Sequence, residues 1–189
     1  MANILSLFDE GVKQFSRRVD AAGADDWTKP TPDTEWNVED LVKHLIDEHL
    51  WMPPLLGGHD LETSNKIVEG TASSGNPAVD WTAASAASLQ SVREPGAMER
   101  NVALSRGPTP AEQYVAEMVV DLTIHSWDLG KALGVDNELP ENLVAFVYGI
   151  VDDAKEMLAS SGMFAAPVPV GDDASLQDKL IAASGRDPR

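Results

Sequence analysis

The chain contains no cysteine. Disulfides, a thiolate nucleophile and thiolate metal ligands are therefore excluded. A metal would have to be held by His, Asp, Glu, backbone or water, and a thiol taking part in chemistry would have to arrive as a small molecule. Basic residues are scarce as well: 14 Lys and Arg stand against 31 Asp and Glu, a formal charge of -17. Such a surface repels phosphate backbones and anionic lipid headgroups, so neither nucleic acid nor a membrane is an expected partner. No apolar run approaches the ~20 residues of a membrane helix. The stretch Met1–Glu10 lacks the basic leader and long apolar core of a signal peptide. The expected setting is the cytoplasm and the expected partner a small-molecule substrate. Oligomeric state is left open, a homodimer included.

What is present suits one folded unit. The 189 residues are 43% hydrophobic, enough for a single core, and are read as one domain over 1–189. Ile4, Leu5, Phe8, Val12, Phe15 and Val19 recur at helical spacing and predict a helix over Asn3–Ala22, closed at Gly23. After the Pro-rich passage Trp27–Trp36, Asn37 reads as an N-cap with Asp40 completing a capping box. The second helix then runs from Val38 to about Met52 and stops at Pro53-Pro54. A short helical piece is expected over Leu61–Glu69 and a third long helix over Val79–Val92. Val102-Ala103-Leu104 is the one extended candidate between Arg93 and Thr109. Pro110 suits the first turn of a helix reaching Leu133, with Gly134 at its end, and Pro140 opens another over Glu141–Ser160. An extended segment, Pro167–Val170, precedes a last helix over Ser175–Ala183. Long amphipathic helices in this number favour a bundle, whose interior is where facing side chains build metal sites.

Asp121 and His125 lie four residues apart in the helix expected over 110–133, so both project from one face. A carboxylate and a neutral imidazole at that spacing can share one divalent metal. His44 borders the apolar stripe of the second helix and would make a third ligand. Read blandly, His44 is a hydrogen-bonded core residue and Asp121 the acid of an ion pair. Glu48, one turn after His44, is either a solvated side chain or a fourth ligand, general base or partner to a ligand. His49 is expected at the surface or behind the ligands, and His59, after Gly57-Gly58, in solvent. Trp36, Trp127 and Asp128 are expected to be structural, the last by bonding backbone or Arg.

Pro30-Thr31-Pro32, the stretch Trp36–Leu45, the stretch Asp121–Gly130 and the tail Gly185-Arg186-Asp187-Pro188 resemble the DinB/YfiT-like metalloenzyme superfamily. Within it they resemble the actinobacterial metal-binding family that includes the N-terminal domain of mycothiol-dependent maleylpyruvate isomerase. The resemblance implies an all-α, DinB/YfiT-like four-helix bundle with short extra helices and a short extended C-terminal segment. It implies a divalent metal, zinc by preference with Ni, Mn or Fe compatible, held by His44, Asp121 and His125. The isomerase has Glu where Asp121 stands, and it carries a C-terminal domain that this chain is expected to lack. The activity expected is a metal-dependent thiol (mycothiol) S-transferase or isomerase acting on a small electrophile, the metal activating the incoming thiol. The alternatives are a metal-dependent hydrolase with Glu48 as catalytic base, a non-catalytic metal-binding or sensor protein, and a hydrogen-bonded cluster without metal.

Overall fold

In the computed structural model, which describes residues 3–33, 35–162 and 164–189, the first four helices begin at side-chain caps. In α1 (Ile4–Val19) the Asn3 side chain accepts the Leu5 N–H at 3.0 Å. In α2 (Val38–Leu56) the capping box forms as expected, with Asp40 N–H donating to Asn37 Oδ1 at 2.9 Å and Asn37 N–H to Asp40 Oδ2 at 3.2 Å. Asp60 caps the short α3 (Leu61–Glu69), and Asn76 caps α4 (Pro77–Ser91), where Pro77 occupies the first turn.

A hairpin follows, β1 (Asn101–Leu104) against β2 (Gly107–Pro110), antiparallel with Asn101 opposite Pro110 and Leu104 opposite Gly107. Then come α5 (Ala111–Leu133), α6 (Glu141–Ser160) and α7 (Leu176–Ala183). Gly134 closes α5 in the left-handed conformation, φ 67°, which glycine adopts without strain.

The bundle consists of α1 packed on α5 and α2 packed on α4, with α2–α5 and α1–α4 contacts closing the ring. Leu7, Phe8 and Phe15 of α1, Leu41, Leu45 and Met52 of α2, Trp81 of α4, and Val115, Leu122 and Leu129 of α5 fill its interior. The helix α6 adds against α5 and α1, and α7 packs on α6. Every residue of α5 from Leu122 to Gly130 is consequently buried. A helix covered on all sides must find internal partners for its polar groups.

Three expectations need correction. The second helix does not stop at Pro53-Pro54 but continues to Leu56. The two prolines forfeit N–H donors. The last turn survives because Pro54, Leu55 and Leu56 are buried, and because the Gly57, Gly58 and His59 N–H groups donate to the Pro53, Leu55 and Pro54 carbonyls. The hairpin's second strand was hidden by Pro108 and Pro110, which leave Pro110 as the residue before α5 and not in its first turn. The Pro167–Val170 segment forms no ladder, its tie to α7 being the Val168 N–H donated to the Ala182 carbonyl at 2.9 Å. Among the described residues no helix is long and apolar enough to cross a membrane.

Candidate metal centre

His44 projects from α2, and Asp121 and His125 from facing turns of α5. His44 Nε2 lies 3.0 Å from Asp121 Oδ2, and His125 Nε2 lies 3.2 Å from Asp121 Oδ1. Each residue offers a ligand atom, and the three atoms lie within 4.8 Å of one another. The His44 and Asp121 side chains are each 28% exposed and that of His125 8%, so the group opens to solvent on one side. Glu48 is outside this group, half-buried one turn further along α2.

A second layer lies behind His125. Its Nδ1 is 3.0 Å from Asp128 Oδ2, and the Asp128 side chain is wholly buried. Arg186, from the C-terminal tail, donates through Nε to Asp128 Oδ1 at 3.3 Å and through Nη2 to Asp128 Oδ2 at 3.0 Å. The bond to Arg was expected of Asp128; its bond to His125 was not, because nothing in the sequence places 128 behind the 125 ring except the three-residue step along a helix.

Trp36 also exceeds its expected packing role. Its ring centroid is 4.7 Å from that of His44 and 5.7 Å from that of His125, walling the two imidazoles. The Pro-rich passage sets this position: Trp36 N–H donates to the Asp33 carbonyl, and the Trp36 carbonyl accepts from the N–H and hydroxyl of Thr31. Trp127 is structural as expected, buried beneath the Lys131 ammonium.

Burial works against charge throughout the group, and the neighbours outweigh it. For Asp121, His125 and then His44 override burial and hold the carboxyl far below the usual carboxylate range. For His125, burial would lower the pKa, but Asp121 and Asp128 raise it to about 9. Asp128 is likewise held low against burial by His125 and Arg186. Glu48 moves the other way, pushed up by burial and by the Asp121 charge, with His44 partly offsetting. Tyr114, two turns before Asp121 on α5, is buried with its hydroxyl unpartnered, and burial followed by Glu48 raises its pKa.

His49 needs correction. It neither faces solvent nor backs the ligands, because five residues from His44 turn it roughly 140° around the helix into the core. It is fully buried, stacked on Phe8 and edge-on to Trp81. The Ser88 hydroxyl donates to the Ser85 carbonyl, so His49 Nδ1–H donates to Ser88 Oγ at 2.7 Å and Nε2 is left without a partner. His59 is exposed, as expected. Two cavities of about 340 and 320 Å³ lie elsewhere, one between α6 and α7 and one between α2 and α4; neither is lined by His44, Asp121 or His125.

The model of the family described as mycothiol maleylpyruvate isomerase N-terminal domain matches residues 8–130, which contain all three candidate ligands. The chain belongs to that family. Two uncharacterised proteins from two strains of Mycobacterium tuberculosis are each 26% identical over 122 residues, covering 64% of this chain and 62% of their own length. Crystal structures of mycothiol-dependent maleylpyruvate isomerase and of a histidine-to-alanine variant of it share the fold. Their TM-scores are 0.70 and 0.69 at 18% identity, covering 97% of this chain and 88% of theirs. The likeness of fold therefore runs past residue 130 into the helices after α5.

Proposed function

We propose that this chain, as one domain over 1–189, binds a divalent metal through His44, Asp121 and His125 and acts in mycothiol-dependent isomerisation or thiol transfer on a small electrophile. One observation carries the reading: in a member of this family, two imidazole nitrogens and a carboxylate oxygen from two helices lie within 4.8 Å of one another. The donor set fits zinc, and Ni, Mn or Fe are also compatible with it. Asp128 occupies Nδ1 of His125, so Nε2 is the nitrogen free to serve as ligand. A divalent ion in this group would lower the pKa of a thiol reaching it, supplying thiolate at neutral pH.

The chain's own residues do the rest. Trp36 shields one side of the imidazoles from water. Glu48, whose carboxyl is pushed up by burial and by Asp121, is suited to take and return a proton during addition and elimination. That same shift supports a second reading, hydrolysis with Glu48 as base, and activity on an ester or amide panel without any thiol would favour it.

Elemental analysis of tag-free protein should find about one divalent ion per chain. His44→Ala should lose that ion while keeping its helical circular dichroism; full metal content in the variant would contradict the assignment. In calorimetry, mycothiol should bind the metal-loaded protein more tightly than the metal-free one, and equal or absent binding in both would remove the thiol from the proposal.

A further inference from the structure

The tail residues Gly185-Arg186-Asp187-Pro188 lie outside the matched segment 8–130, yet the Arg186 side chain is buried against Asp128 of α5. Gly185 makes this path possible. Its φ is 83°, and a Cβ there would lie 2.6 Å from the Ala165 carbonyl oxygen, so a side chain at this position would be both strained and obstructed. The turn sends the Arg186 side chain inward, where it is 7% exposed.

The whole guanidinium is engaged there. Nε and Nη2 grip both oxygens of Asp128, Nη2 also reaches Asp33 Oδ2 at 3.2 Å, and Nη1 donates to the Ser184 carbonyl at 2.9 Å. Asp128 is wholly buried, and a carboxylate in that position is costly unless paired. Its Oδ2 is the atom facing His125 Nδ1. Asp33, on the other side, accepts the Trp36 N–H through its carbonyl, and the Trp36 ring walls the imidazoles.

We infer that Arg186 is a positioning residue of the metal centre: by fixing both oxygens of Asp128, it holds the His125 ring with Nδ1 toward Asp128 and Nε2 toward the ligand position it would share with His44 and Asp121. This rests on the metal-centre reading above. The two-pronged grip is what a guanidinium supplies and an ammonium does not.

The test compares Arg186→Gln, Arg186→Lys and Asp33→Asn with wild type, all as full chains. In metal-free protein above pH 9, where Asp121 competes for the ring proton through Nε2, nitrogen-15 shifts of His125 should show a larger Nδ1–H fraction in wild type than in Arg186→Gln. Zinc affinity, by competition with a chelator, should fall about 10- to 100-fold in Arg186→Gln. It should be partly restored in Arg186→Lys, which keeps the charge but not the fork. Asp33→Asn removes only the more exposed carboxylate partner and should bind zinc much as wild type does. A loss there as large as in Arg186→Gln would move the role to the loop and overturn the assignment.

If Arg186→Gln fails to fold, Asp128→Asn/Arg186→Gln removes the buried charges together and should fold with the same loss of tautomer preference and of zinc affinity. A folded variant with wild-type tautomer and wild-type affinity would refute the inference. Should wild type itself take no zinc, the metal-centre reading fails, and the tautomer comparison alone decides the role of Arg186.

Discussion

His49 and His125 show how differently one residue type behaves in one molecule. His125 sits between two carboxylates and is raised to about 9. His49 lies among Phe8, Trp81 and Ser88, and burial lowers it to about 3. A histidine depressed in the folded state contributes stability that is fully present above its unfolded pKa of 6.5 and is lost as pH falls toward 3. Each proton taken up by the unfolded chain alone costs about 1.4 kcal/mol per pH unit in that window. Denaturant unfolding of metal-free wild type and His49→Gln, run side by side, should therefore converge as pH drops from 6.5 to 4.5. Carboxylate titration is common to both proteins and cancels, so a stability difference that stays constant with pH would remove His49 as the cause. His44, Asp121 and His125 were legible in the sequence because helical spacing puts each on or beside an inward face and the family resemblance joins them into one set. The environment of His49 was not, since it depends on α1 and α4 packing across α2. Arg186, 58 positions from Asp128, could be named from its motif but not placed.

At the scale of elements, the boundaries that local chemistry sets were readable and those set by packing were not. Asn37, Gly134 and Pro140 mark helix ends through capping, a left-handed turn and a fixed φ, all local effects. The last turn of α2 persists past two prolines only because tertiary burial outweighs their lost donors. The same contrast separates two glycines inside helices. A Cβ on Gly130 would lie 2.8 Å from Asn137 Cβ and 3.0 Å from Arg18 Nε, where α5 meets α1 and the following loop. A Cβ on Gly149, in α6, would meet nothing within 4 Å. Gly130→Ala should therefore cost about 1–3 kcal/mol by overpacking, whereas Gly149→Ala should add about 0.4–1 kcal/mol by restricting the unfolded chain. Thermal unfolding of the two variants should shift in opposite directions. A neutral Gly130→Ala would mean that Asn137 yields, and that the approach of α5 to the loop is looser than its geometry implies.

For the whole molecule the dominant fact is charge. A net -17 spread over one small fold makes the compact state repel itself. The exposed ion pairs, such as Lys66 with Glu62 and Arg189 with Asp187, return little, because solvent and salt screen them. Monovalent salt shortens the reach of this repulsion to about 10 Å at 0.1 M, so raising NaCl from low concentration should raise the melting temperature of metal-free protein. The rise should be the same in His44→Ala, since it comes from the surface as a whole. Zinc should act otherwise. An ion bound at His44, Asp121 and His125 stabilises only a chain that retains the site, by about 2.7 kcal/mol at a hundredfold excess over its dissociation constant. Differential scanning of both proteins, with NaCl and then with zinc at constant NaCl, separates the two effects. An equal zinc response in wild type and His44→Ala would assign the ion to the diffuse acidic surface, and a melting temperature that falls with NaCl would show that attractive pairs outweigh the repulsion.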